Sequence, residues 1–208
     1  MAHQVDELIP TRWSLIGRLK QWDDQESWRE FFELYWKLIY GVALKAELNP
    51  DEAQDVVQDT IISVCKNIKN FKADPAYGSF KGWLLKLTRW RIVDQIRRRS
   101  SRKSGGQIDA SAGTSTVANV ADPSADVLDR IWENEWERNI LNGALEKLER
   151  QVNGRHYQIF YLHVIKQKSV DKVAQATGVS ANQVHVIKHR LSPLFRKAIE
   201  DLEQKMEG

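Results

Sequence analysis

Residues 169–184 read Ser-Val-Asp-Lys-Val-Ala-Gln-Ala-Thr-Gly-Val-Ser-Ala-Asn-Gln-Val, the order expected of two helices joined by a tight turn. Ser169 stands where a side-chain oxygen caps free helix amides. Gly178 stands where a left-handed residue ends the first helix, a conformation that glycine adopts without steric cost. Val179 plugs the space between the helices and Ser180 caps the second. Val184, Ile187 and Leu191 then recur on one helical face, leaving Ala181, Asn182, Gln183, His185, Lys188 and His189 on the other. Asn and Gln pair bidentately with adenine, Lys bonds guanine, and short residues at a helix start allow close approach to a major groove. A plain helical hairpin with a solvated surface fits the same pattern, so the DNA reading needs support from the rest of the chain.

Toward the N-terminus, about Arg138–Leu148 and Arg155–Ile165 have the spacing of packing helices, through Ile140, Leu141, Leu145 and Leu148, then Ile159, Phe160, Leu162 and Val164. An acidic stretch from Asp122 to Glu137, with Trp132 and Trp136, leads into them. From Ser101 to about Ser124 the chain is rich in Ser, Gly, Ala and Thr without a sustained apolar period, the composition of a flexible linker. The fold expected is therefore all-α: two small helical domains joined by a flexible linker, the C-terminal one with a helix-turn-helix. The boundaries are an N-terminal extension over 1–22, a first domain over 23–100, the linker over 101–125 and a second domain over 126–208.

Within the first domain, Trp28, Phe31, Phe32, Tyr35, Leu38, Ile39, Val42 and Ala46 predict a core helix over Gln25–Leu48, after a short helix around Thr11–Gln21. Asn49-Pro50-Asp51-Glu52 starts the next: a cap, a proline where the missing N–H costs nothing, and acids at the positive end of the dipole. It runs to about Asn67, buries Ala53, Val56, Val57, Ile61, Val64, Cys65 and Ile68, and turns Asp51, Asp55, Gln58 and Asp59 outward. Turn formers over Lys72–Gly78 predict a loop. Ser79 caps a third helix through Phe80, Trp83, Leu84, Leu87, Trp90, Val93 and Ile96. Pro193 predicts a kink or break near Ser192 in the last helix.

The formal charge is only +3, but its placement is uneven. Between Lys45 and Lys66 lie Glu47, Asp51, Glu52, Asp55 and Asp59 and no base. From Lys81 to Lys103 lie Lys81, Lys86, Arg89, Arg91, Arg97, Arg98, Arg99, Arg102 and Lys103 against the single acid Asp94. An acidic face suits an electropositive protein partner, and a basic one suits a phosphate backbone. Trp90 and Tyr77 lie beside the basic run, where they serve either as core or as stacking surfaces for unpaired bases. Arg97-Arg98-Arg99 also suits a solvated helix end facing the negative pole of the dipole.

Other function classes find little support. No Gly-rich phosphate loop, nucleophile elbow or acid–base constellation points to an enzyme, and no cofactor motif is present. His185 and His189 are four apart, yet no third ligand suggests a metal. Cys65 reads as a small buried core residue. No run of about 18 apolar residues suggests membrane insertion, and MAHQVDELIP lacks the flanks of an export signal, so a cytoplasmic location is expected.

Taken in order, Asp51-Glu52-Ala53-Gln54-Asp55-Val56-Val57-Gln58-Asp59-Thr60, Gly78-Ser79-Phe80-Lys81-Gly82-Trp83-Leu84 and Arg91-Ile92-Val93-Asp94-Gln95-Ile96-Arg97-Arg98-Arg99 resemble region 2 of extracytoplasmic-function sigma factors of the sigma-70 family. The second domain resembles their region 4. The resemblance implies a transcription initiation factor with no catalysis of its own, whose partners are core bacterial RNA polymerase, promoter DNA and an anti-sigma factor. It assigns polymerase docking to Asp51, Asp55, Gln58 and Asp59. Contacts to the minus-10 element fall to Tyr77, Ser79, Lys81, Lys86, Arg89, Trp90, Arg97 and Arg98. Those to the minus-35 element fall to Ser180, Asn182, Gln183, His185, Lys188, His189 and Arg190. Asp59 stands where many relatives carry Glu, which should preserve docking. The competing reading is a stand-alone helix-turn-helix regulator that acts on duplex DNA without polymerase.

Overall fold

The computed structural model describes residues 13–21, 23–71, 79–103 and 125–207, and all regular structure among them is helical. The helices are α1 (Trp13–Leu19), α2 (Gln25–Lys45), α3 (Pro50–Asn67), α4 (Phe80–Lys103), α5 (Ala125–Gln151), α6 (Gly154–Phe160), α7 (Val170–Thr177) and α8 (Ala181–Glu207). They form two compact units, Met1–Trp136 with Met206–Gly208, and Glu137–Lys205. The expected loop at Lys72–Gly78, the linker over 104–124 and the extension over 1–12 lie outside the described residues. Residues 101–103, expected in the linker, continue α4.

In the first unit the local rules act as expected at the helix starts. Asn49 accepts from the Glu52 amide at 2.9 Å while the Glu52 carboxylate accepts from the Asn49 amide at 3.0 Å, a reciprocal box around Pro50. Ser79 Oγ accepts from the Gly82 amide at 3.2 Å. The turn between α2 and α3 is unusual, because Glu47 takes φ 63° where glycine is usual. Leu48 N–H reaches the Ala43 carbonyl and Glu47 N–H reaches Leu44, which closes the end of α2 as a Schellman turn. Arg99, at the far end of α4, donates to the Glu47 carbonyl at 3.0 Å and fastens this turn.

The core of this unit is aromatic. Phe31, Tyr35 and Phe80 are almost wholly buried and meet at centroid distances of 4.8–6.2 Å, with Phe71 and Trp83 packed on Phe80. Burial of each such ring contributes roughly 1.5–3 kcal/mol. The inner face of α4 is Phe80, Leu84, Thr88, Ile92 and Gln95, two of them polar. That departs from the expected apolar stripe: Trp83, Leu87, Val93 and Ile96 are half-buried and Trp90 is 43% exposed. Thr88 is accommodated because its hydroxyl donates to the Leu84 carbonyl, and Gln95 because it donates to Asp55. Phe32 points outward on α2, and Ile61 and Cys65 are half-buried on α3.

The first residues of α5 belong to this unit. Trp132 and Trp136 are buried in it, with Trp136 6.2 Å from the Tyr35 ring. A helix expected to begin near Arg138 therefore begins at Ala125, and the compact units divide inside it, beyond the composition change near residue 125.

The second unit is organised around Leu148, Ile159, Phe160, Val173, Val184, Ile187 and Leu191, drawn from α5, α6, α7 and α8. Val184, Ile187 and Leu191 face inward as their spacing requires, and Val179 packs against the same cluster. Leu141, expected in the core, is 45% exposed, and Ala144 takes the inward position. A π-helical turn over Tyr161–Ile165 follows α6 and ends on Gln167 at φ 52°. Pro193 does not break α8, which is continuous from Ala181 to Glu207. Proline removes one backbone donor, but Pro193 is exposed, so solvent reaches the released carbonyl, and Ser192 Oγ donates to the neighbouring Lys188 carbonyl at 2.7 Å.

Candidate nucleic-acid interface

The acidic helix and the basic helix lie side by side. Asp55 accepts from Gln95 at 3.2 Å, Asp59 lies 3.5 Å from Arg98, and Glu52 lies 3.4 Å from Arg99. Arg98 also pairs with Asp94 one turn earlier at 2.8 Å. Arg91 donates twice to Ser63 Oγ, which itself donates to the Asp59 carbonyl. Two groups expected to serve separate partners thus hold each other in register along the seam between α3 and α4. Asp51 and Gln58 stay exposed beside this seam. Both helices present charge because their opposite faces are consumed by the core.

The cations of α4 differ in how open they are. Lys86 and Arg97 are exposed, as are Ser79 and the ring of Trp90, against which the Arg91 guanidinium lies at 4.4 Å. A half-open indole beside cations is a suitable base-stacking surface. Lys81 and Arg89 are engaged instead: Lys81 Nζ is 2.5 Å from Glu133 and 4.9 Å from the Trp136 ring centre, and Arg89 is ion-paired with Asp129. Nothing in local spacing foretells these pairs, since their partners are 40 and 52 residues away. Tyr77 lies outside the described residues.

In the second unit, α7 ends on Gly178 at φ 65°, and the turn Gly178–Ser180 leads into α8. Ser169 occupies the capping position of α7 but its side chain makes no cap bond, contrary to expectation. At α8, Ser180 Oγ accepts from the Gln183 amide at 3.2 Å, and Gln183 Oε1 accepts from the Ser180 amide at 2.8 Å. Gln183 is thereby committed to the helix start, with its amide NH2 left to point outward. Asn182, His185, Lys188, His189 and Arg190 are all exposed. His185 meets His163 edge to face at 6.3 Å, and the other ring nitrogen-bearing edge of His163 is fixed by the Lys168 carbonyl at 3.0 Å from Nδ1.

One residue that spacing did not single out supports this geometry. Arg155 donates to the carbonyls of Thr177 at 2.7 Å and Gly178 at 3.4 Å, satisfying the open end of α7. Burial raises the pKa of the Cys65 thiol, which leaves it mostly protonated near neutrality. Among the described residues no group of His, Cys, Asp and Glu is placed to hold a metal, and no helix is long and apolar enough to cross a membrane.

Residues 31–102 match the family described as Sigma-70 region 2, a span that runs from the second turn of α2 through α3 to the last turn of α4. A curated relative, the ECF RNA polymerase sigma factor SigE of Mycolicibacterium smegmatis (strain ATCC 700084 / mc(2)155), is 32% identical over 73 residues. That alignment takes in 35% of this chain and 27% of the relative, so the match spans about a quarter of the relative's length. A solved structure described as "Structure of CnrH in complex with the cytosolic domain of CnrY" aligns with 90% of this chain and 96% of that one. Its identity of 16% and TM-score of 0.35 are too low to carry an argument. The acidic and basic helices are thus joined inside a segment that is similar to Sigma-70 region 2 and to a stretch of an extracytoplasmic-function sigma factor.

Proposed function

We propose that this protein is a sigma factor that docks on core RNA polymerase through α3, engages the minus-10 element through α4 and reads the minus-35 element through α8. The observation that carries the reading is the α3–α4 seam within the region 2 match: an acidic outer face and a basic, tryptophan-bearing face supported by one small core. Asp51, Asp55, Gln58 and Asp59 form the docking face. Ser79, Lys86, Trp90, Arg97 and Arg98 track the melted strand, with Lys81, Arg89 and Tyr77 assigned to the same surface. Extruding a base costs a few kcal/mol, which a stacking ring and phosphate contacts offset. In the second unit Asn182 and Lys188 are placed to read base edges, while Ser180, Gln183, His185, His189 and Arg190 position the helix on the duplex. The protein would act in the cytoplasm, with an anti-sigma partner controlling access to these faces.

Run-off transcription with purified core polymerase and a library of promoter fragments tests the proposal. Specific transcripts are expected from the wild-type protein and their loss from Asp55→Asn/Asp59→Asn. Duplex binding without any association with polymerase would instead identify a stand-alone regulator.

A further inference from the structure

One side chain outside α8 bears directly on the exposed face of that helix. α6 leads into the π-helical turn over Tyr161–Ile165, and the chain closes tightly behind it. The Lys166 amide donates to the Tyr161 carbonyl at 2.9 Å, Gln167 turns left-handed at φ 52°, and the Lys168 amide donates to the Leu162 carbonyl at 3.0 Å. The Lys168 carbonyl, fixed by this closure, lies 3.0 Å from Nδ1 of His163. A carbonyl oxygen can only accept, so Nδ1 carries the proton and donates it. That bond sets both the tautomer and the orientation of the half-buried His163 ring.

The ring so held meets His185 at a centroid distance of 6.3 Å and an interplanar angle of 88°. His185 is exposed on the second turn of α8, in line with Asn182 and His189 on the same surface. An exposed side chain that must take one orientation on a ligand loses rotamer freedom when it binds. A rigid neighbour that holds it there beforehand removes part of that loss. An edge-to-face ring contact is directional enough to do so, provided that the supporting ring is itself locked. The Lys168 carbonyl supplies the lock.

We propose that His163 is a positioning residue for duplex recognition: anchored on the Lys168 carbonyl, its ring holds His185 in the orientation in which that imidazole meets the duplex. This rests on the reading of α8 as the duplex-binding helix. The π-helical turn thereby contributes to recognition through α8, and the two histidines act as one unit.

The test is a double-mutant cycle read by fluorescence anisotropy. The labelled probe is the duplex most enriched when the full-length protein, with core polymerase present, is offered a randomised duplex library, and affinities are titrated under the same conditions. His163→Phe keeps a ring against His185 but loses the donor to Lys168, whereas His163→Asn keeps a donor for that carbonyl but has no ring. Each should weaken binding about three- to tenfold, within the range of couplings between side chains in contact. His185→Ala should weaken it at least as much, and neither His163 substitution should weaken binding further when added to His185→Ala. His163→Asn is the decisive variant, because it leaves the turn closed and a merely structural role would not register it. Wild-type affinity in either His163 variant overturns the proposal, as does full additivity of the His163 and His185 losses. If a duplex is enriched and His185→Ala binds it as wild type does, the reading of α8 stands and the positioning role alone fails. If no duplex is enriched and the wild-type protein binds none, the reading of α8 fails and the positioning role fails with it.

Discussion

Along α4 five cations are held by the protein's own groups, Lys81 by Glu133, Arg89 by Asp129, Arg91 by Ser63, Arg98 by Asp94 and Asp59, and Arg99 by Glu52 and the Glu47 carbonyl, while Lys86 and Arg97 stand exposed. Along the first turns of α8, Lys188, His189 and Arg190 are exposed and enter no ion pair among the described residues. The same residue chemistry is thus mostly satisfied from within in one unit and presented in the other. A surface that meets duplex DNA can stand open, since duplex is what it meets first. On the proposed function, a surface that holds a melted strand has no substrate until melting begins, and meanwhile its charges pair within the fold.

The contrast breaks most visibly through the anchors of the covered surface. Trp132→Ala should cost the first unit about 3–5 kcal/mol, the usual range for removal of a buried tryptophan. Amide exchange should show protection falling in α2 and α4 while the cluster around Phe160 in the second unit stays protected. A uniform loss across both units would show that the two surfaces are not supported separately.

Salt dependence sharpens the contrast next. On duplex DNA, Arg190→Ala should flatten the log–log slope of the free protein by about 0.9, one phosphate contact's worth. Lys81→Ala/Arg89→Ala should leave that slope nearly unchanged, because those cations are already paired.

Two of the three left-handed positions among the described residues, Glu47 and Gly178, offer a smaller and opposed pair of effects. Each unit closes a helix on such a residue and fastens it with an arginine, Glu47 with Arg99 and Gly178 with Arg155. A side chain in this conformation costs roughly 1–2 kcal/mol. Gly178→Ala should therefore destabilise the second unit by about that amount, although a β-carbon there would meet nothing closer than 3.7 Å. Glu47→Gly should stabilise the first unit by up to about 1 kcal/mol, because Arg99 grips the backbone and keeps its bond. Denaturant titration of both variants measures the pair.

The smallest effect is electrostatic and belongs to the second unit. Asp201 accepts from Lys147 at 2.5 Å, which holds its carboxyl below the ordinary value of 3.8. A depressed folded pKa gives stability that is present above the unfolded value and lost as pH falls through the folded one. Asp201→Asn should cost less than about 1 kcal/mol at pH 7, since both ends of the pair are partly exposed. The difference between variant and wild type should shrink as pH falls below 3.8 and vanish once it is below the depressed folded pKa, as measured by thermal melts across the acid range.

What could be read in advance follows the range of the interactions. Asn49, Pro50, Ser79, Gly178 and Ser180 were legible because caps and turns depend on neighbours within four residues. Val184, Ile187 and Leu191 were legible because one helical face repeats. The inward set of α4 was not, since Thr88 and Gln95 are buried through hydrogen bonds that hydrophobic periodicity ignores. The true start of α5 was hidden for a related reason: tertiary burial of Trp132 and Trp136 stabilises a stretch whose acidity reads as solvated. The break allowed for at Pro193 did not occur, because the helix on either side of it is continuous from Ala181 to Glu207 and local propensity does not weigh the packing of Leu191 and Ala198 on the same helix. Of the sites, exposure on α8 agrees with the residue pattern, but the partners of Lys81 and Arg89 required the fold.

The most direct test of the two-surface account is site-specific photocrosslinking in a polymerase–promoter open complex, with a photoreactive residue at Trp90 in one protein and at His189 in another. The account predicts that the Trp90 probe labels the non-template strand within the melted minus-10 segment and the His189 probe labels duplex upstream at minus-35. Labelling of the same duplex segment by both probes, or of polymerase but no DNA by the Trp90 probe, would contradict it.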